Sequence, residues 1–380
     1  MRIRGPGWGV LFLAMLLSSC GGSSAEQGPM PRGRWTDAEA EAWYAAQPWL
    51  VGANFVPSTA INQLEMWQAD TYDEATIDRE LGWAADLGFN TMRVFLHDLL
   101  WKEDSKAFLD RIDRFLAVAD RHGIAVMLVF FDGVWNPFPV AGAQPGPTPH
   151  VHNSQWVQSP GAEILGDLER HDELEPYVKG VVGRFRGDPR VLAWDLFNEA
   201  DNPNDFTYGD VELSPQVKVA AAEALLRKAF EWARSAGPMQ PLTAGVWQGQ
   251  WGDPEALSPI NELMLGESDV ISFLSYAPPE EVSDLVADLQ QFGRPLLCTE
   301  YLARSVGSTF QAVLPIFDEE DVGAYNWGLV NGRTQTIYSW FSWVTMDPAD
   351  AEPWFHDIFR ADGMPYDSEE VALIQELTER

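Results

Sequence analysis

Two glutamates in this chain have the setting that acid–base and nucleophilic chemistry needs. Trp194-Asp195-Leu196-Phe197-Asn198-Glu199 is an apolar, strand-like run that ends in a carboxylate, and Leu297-Cys298-Thr299-Glu300-Tyr301 repeats that arrangement far along the chain. Cleavage of a glycosidic bond requires such a pair. One carboxyl protonates the departing oxygen while the other attacks the anomeric carbon, the two standing ~5–5.5 Å apart when configuration is retained. Glu199 and Glu300 can meet at that range only if the chain closes on itself.

The intervening sequence supplies a way to close. Apolar runs at 50–55, 90–96, 124–131, 191–197, 242–247, 270–276, 295–299 and 323–329 read as strands. They alternate with helical patterns at about 73–87, 105–122, 167–185, 214–236, 258–265, 279–292, 308–318 and 368–377. Short, continuously apolar strands indicate a parallel sheet covered by helices. Eight such units predict an α/β fold, a (β/α)8 barrel in one domain, with the functional site at the C-terminal strand ends. A doubly wound open sheet would bring a glycine-rich phosphate turn after an early strand. The first turn, Val56-Pro57-Ser58-Thr59, has no glycine.

The Asn198-Glu199 ending of the fourth strand resembles the Asn-Glu motif of the clan of barrel glycosidases typified by glycoside hydrolase family 5. Thr299-Glu300-Tyr301 is similar to that clan's seventh-strand nucleophile motif. The resemblance implies Glu199 as acid/base, Glu300 as nucleophile, and Asn198 as a ligand of the sugar 2-hydroxyl. It also implies that Arg93 supports the nucleophile, with Tyr276 beside it and Trp327 as an aromatic platform. It covers roughly residues 48–345. Two positions depart from the pattern: Leu274 and Phe131-Asp132-Gly133 stand where histidines often occur, which leaves the sugar open. Glu199 is expected to be protonated at rest, raised by burial and by the charge of Glu300; Glu300 is expected to stay ionised against Arg93 and Tyr276. The mechanism calls for no metal or organic cofactor.

Other residues fall where strand ends meet loops. Asn54, Glu65, Trp67 and His97 follow the first two strands, and Asp132, Trp135, His150, His152 and Trp156 occupy the long third loop. Trp247 and Trp251 follow the fifth strand. Asn54, Trp67, His97, Asp132 and Trp247 are taken as candidate sugar-binding residues; loop scaffolding is an equal alternative for most. The His150-x-His152 pair reads as solvated loop histidines, because nothing obvious completes a metal site.

Charge and composition narrow the partners. The chain has 57 acidic and 25 basic residues, a formal charge of -32, which excludes phosphate-directed binding to nucleic acid and disfavours polyanionic glycans. A neutral poly- or oligosaccharide fits, and the 17 tryptophans offer flat faces for sugar C–H surfaces as well as core filling. Residues 1–19 read as an export signal: Arg2 and Arg4, an apolar run from Val10 to Leu17, then Leu17-Ser18-Ser19-Cys20. That ending resembles the lipobox of bacterial lipoproteins and implies a lipid on Cys20, followed by a tether over 20–47 and the barrel over 48–380. The expected location is the cell envelope, the outer membrane if the host has one, with the protein monomeric. The other cysteine, Cys298, reads as a buried apolar residue. A transglycosylase using the same residues, or a non-catalytic sugar-binding lipoprotein on a decayed barrel, remain as alternative functions.

Overall fold

The computed structural model describes residues 30–204, 213–345 and 351–379; the signal segment and Cys20 lie outside the described residues. Eight parallel strands follow one another around a barrel. They are β1 (Val51–Asn54), β2 (Thr91–Phe95), β3 (Ala125–Asp132), β4 (Val191–Asn198), β5 (Leu242–Thr243), β6 (Ile271–Leu274), β7 (Leu296–Tyr301) and β8 (Gly323–Trp327). Sequential neighbours pair, and β1 pairs with β8. The remaining seam, β5 to β6, closes through Val246, whose N–H donates to Ser272 O at 3.0 Å and whose carbonyl accepts from Leu274 N at 3.0 Å. Strand side chains are almost all buried because one face fills the barrel and helices cover the other. The fold is the (β/α)8 barrel that the sequence pattern predicts.

The helices that follow the strands are Glu74–Asp86, Asp98–Arg121, Glu175–Phe185, Pro215–Ser235, Pro259–Glu267, Pro279–Gln290, Phe310–Glu319 and Ser368–Thr378. Side chains of Asp73, Ser214, Ser258, Thr309 and Asp367 cap first-turn amides of five of them. Three expectations shift. The third helix starts at Glu175 rather than Asp167, because Pro176 suits a first turn and residues 171–174 form a 3-10 turn. The second begins earlier, at Asp98, and is broken at Asp104. The fifth strand stops at Thr243 instead of Trp247. Beyond it, Ala244 N–H goes to Ser268 Oγ at 3.2 Å, and the N–H groups of Trp247 and Gln248 go to Asp201 Oδ2, both at 2.9 Å. Side chains on either side of Val246 take the place of the ladder there and turn the chain toward the site.

The larger correction concerns the tether expected over 20–47. Its described part is seated on the barrel floor. The Asp37–Tyr44 helix opens with a Thr36–Glu39 capping box and plugs the N-terminal end of the barrel, where Ala40 and Tyr44 pack with Met127, Leu192, Leu297 and Tyr325. Just before it, Asp269 Oδ2 accepts from Arg32 Nη2 at 2.5 Å and from Leu242 N at 2.8 Å, while its Oδ1 accepts from Trp35 N at 2.7 Å. Asp269 is buried, so losing it strands the Trp35 and Leu242 amides and leaves the Arg32 guanidinium with carbonyl partners only. Asp269→Ala is expected to cost ~3–5 kcal/mol of unfolding free energy in urea titration; a loss below ~1 kcal/mol would mean that the segment merely rests on the floor.

Candidate active site

Four strand ends converge on one guanidinium. Arg93 projects from β2 and is fully buried. Its Nε and Nη2 donate to Asp195 Oδ2 of β4 at 3.0 and 2.8 Å. Nη2 also reaches Asn198 Oδ1 at 2.7 Å, and Nη1 donates to Asn54 Oδ1 of β1 and to Glu300 Oε1 of β7, both at 2.9 Å. The planar fork of arginine suits this shared use of its donors. Asn54 returns its amide to Thr299 O at 2.8 Å, which ties β1 to β7 directly under Glu300.

Glu300 has a second partner. Tyr276, just past β6, donates its phenol to Glu300 Oε2 at 2.6 Å. Both oxygens of this carboxyl are therefore fixed by donors. Glu199 is held differently. It follows the last residue of β4 with φ +50°, and its Oε2 accepts from the neutral amide of Asn202 at 2.5 Å. Gly133 makes that turn possible: a Cβ there would stand 2.4 Å from Glu199 O. The buried Lys218 ammonium donates to Asn202 O and so braces the same loop.

These surroundings separate the two acids. Burial raises the pKa of both. For Glu199 the neighbouring Glu300 charge pushes further the same way, and its pKa lies well above the ordinary value. For Glu300 the Arg93 charge and the Tyr276 and Arg93 hydrogen bonds oppose the rise. These surroundings favour the proton on Glu199 and the charge on Glu300.

Asp132, at the end of β3, lies behind the pair. It accepts from Asn198 Nδ2 at 3.1 Å and from Trp156 Nε1 at 2.6 Å, and burial pushes it up to about 7. Asp201, raised to about 6 by burial, holds the Trp247 and Gln248 amides.

Glu199 and Glu300 open on one pocket of about 260 Å³, whose lining includes Asn198, Tyr276, Trp327 and Trp247. Arg93, Asn54 and Asp132 stand behind the wall rather than in it. Asn54 and Asp132, taken from sequence as sugar ligands, are thus positioning residues. Two candidates lie away from the pocket. Trp67 is a core residue, packed edge-on against Phe108 and Phe115 with its Nε1 on Phe95 O at 2.7 Å. His97 caps the next helix by accepting from Leu99 N at 3.2 Å. Glu65 pairs with Arg333, His150 meets the Tyr338 hydroxyl, and Trp251 is buried outside the lining. The sequence reading missed Asn202, Lys218 and Asp201, and also Trp340, Phe341, Val344 and His356, which the loops after β8 bring to the pocket. The Asn202-to-Glu199 spacing of three was a usable signal; nothing in the order of residues 340–356 points back to the site.

Comparison with known proteins agrees with the barrel fold. A model of glycosyl hydrolase family 10 matches residues 149–245, a stretch that contains β4, Asn198 and Glu199. No curated protein matches. Among solved structures, GH5_18 of Streptomyces cattleya in complex with GlcNAc superposes with a TM-score of 0.60 at 15% identity, over 87% of this chain and 80% of that one. The endo-1,4-beta-D-mannanase of Thermotoga petrophila gives 0.51 at 15% identity, over 87% and 99%. An exo-beta-1,4-mannosidase of Opitutaceae bacterium strain TAV5 gives 0.56 at 17% identity, over 87% and 59%. At these identities the likeness is one of fold.

The Tyr276 contact yields a pH prediction. Its phenol favours the ionised form of Glu300, so Tyr276→Phe raises the Glu300 pKa, and the same proton leaves only at higher pH. The acidic limb of the kcat/KM profile should move to higher pH, and the plateau should fall ~10²-fold. An acidic limb that stays in place or moves down would refute the role given to this contact.

Proposed function

We propose that this protein is a retaining glycoside hydrolase acting on a neutral β-linked glycan or oligosaccharide. One observation carries the reading: two carboxyl groups face a single pocket, one fixed by a guanidinium and a phenol, the other raised by burial beside it. In the first step Glu300 attacks the anomeric carbon and Glu199 gives its proton to the departing oxygen, leaving a glycosyl ester on Glu300. In the second, Glu199, now ionised, takes a proton from water, which attacks the same carbon and frees Glu300. Two inversions return the starting configuration.

The family 10 match over the Glu199 region and the mannan-directed names of several structural neighbours support a glycan substrate. Among the described residues no Lys or Arg lines the pocket, which favours an uncharged sugar. The Leu-Ser-Ser-Cys20 sequence supports export and a lipid anchor at the cell envelope.

A panel of 4-nitrophenyl β-D-mannoside, glucoside and xyloside tests the activity. At least one should be cleaved, with the β-anomer as the first product by NMR. Glu300→Gln should abolish turnover. Glu199→Gln should lose ~10²–10⁴-fold on an alkyl glycoside, and far less on a dinitrophenyl glycoside that departs without help. An α-anomer as first product, or a Glu300→Gln variant of normal activity, would dismiss the mechanism. Radiolabelled palmitate should enter the wild-type chain in cells and not Cys20→Ser; equal labelling of both would remove the anchor.

A further inference from the structure

Two buried histidines line the pocket on the side of Glu300, and neither has work in the mechanism above. His152 comes from the long loop after β3 and His356 from the chain after β8. Their ring centroids are 5.3 Å apart, and the His356 ring lies 5.7 Å from Tyr276, the phenol bound to Glu300.

Main-chain carbonyls fix both tautomers. His152 Nδ1 is 2.8 Å from Tyr338 O, and His356 Nδ1 meets Leu302 O. A carbonyl oxygen can only accept, so each Nδ1 carries its ring's hydrogen and each Nε2 presents a lone pair. Neither ring has a second N–H to offer the other. His356 Nε2 has no partner, and none is formed by His152 Nε2 with any described residue. Burial holds both rings neutral, His152 down to about 4. The His152 ring is further braced by its own backbone N–H on Ser342 Oγ at 2.9 Å. His356 Nε2 is fully enclosed, whereas His152 Nε2 belongs to a pocket-lining ring and has no donor among the described residues; such an acceptor on the wall of a ligand space marks a place for the ligand's donor.

We propose that His152 is a substrate-binding residue whose Nε2 accepts a hydrogen bond from one ring hydroxyl of the sugar that Glu300 attacks. The proposal rests on the glycosidase reading and adds to it a selection rule: the pocket prefers glycosides that carry that hydroxyl, and discriminates against the sugar that lacks it.

The test uses the full chain labelled with 15N-histidine, with His152→Phe to assign the resonances and His152→Gln as a second variant that keeps an acceptor. The probes are methyl β-D-mannopyranoside, glucopyranoside and xylopyranoside, and the monodeoxy forms of whichever binds. Binding should move His152 Nε2 upfield, as expected of an imine nitrogen that gains a donor. Removal of one particular hydroxyl should weaken binding at least tenfold in the wild type, less than twofold in His152→Phe, and by an intermediate factor in His152→Gln. A probe that binds and quenches tryptophan fluorescence while His152 Nε2 stays still would overturn this proposal and leave the glycosidase reading intact. So would deoxy penalties that are the same in wild type and His152→Phe. If no probe perturbs any pocket signal, the sugar assignment of the pocket falls, and this proposal with it.

Discussion

A single buried cation holds this structure's site together. The Arg93 guanidinium binds side chains from β1, β4 and β7, so four strands remote in sequence are registered against one planar group. Burying it alone would be prohibitive; burying it with Asp195, Glu300 and two amide oxygens is tolerable because the charges offset one another and all five donors are used. The barrel must close for this to happen, since Asp195 and Glu300 reach Arg93 from opposite sides of β2. Closure, burial and the catalytic charge are thus one constraint seen at three scales.

The same constraint divides the labour of the two acids. Both lose water, which favours their neutral forms. Arg93 and Tyr276 oppose that effect at Glu300 alone, and a charge on Glu300 in turn discourages ionisation of Glu199. The neighbouring acids Asp132 and Asp201 serve as braces: one orients Asn198 and Trp156, the other turns the chain at Trp247 into the wall. A chain with a formal charge of -32 thus keeps a local cation where a negative group must stay ionised.

Much of this was legible in the order of residues. Eight apolar runs with helical spacers gave the barrel, because a strand buried on both faces has no polar alternation to hide. Asn198-Glu199 and Thr299-Glu300-Tyr301 were visible because a polar pair ending such a run has little structural reason to be there. What stayed hidden depends on contacts across loops. Trp67 and His97 follow strands, as site residues do, yet one turns into the core and the other caps a helix; residue type and position cannot separate these outcomes. Residues 32–44 look like a linker, and only the Asp269 cradle reveals them as the barrel's plug. His152 and His356 are far apart in sequence and become a pair through two main-chain carbonyls that no side-chain pattern announces.

The central claim is that Glu300 is the charged carboxylate that bonds to the sugar. Mass spectrometry of the intact protein and its peptides after inactivation by a 2-deoxy-2-fluoro-β-glycosyl fluoride tests it most directly. One fluorosugar attached to the peptide containing Glu300, formed slowly or not at all in Tyr276→Phe at low pH, is the result this account requires. Attachment to Glu199 or elsewhere, or inactivation with no covalent sugar, would contradict it.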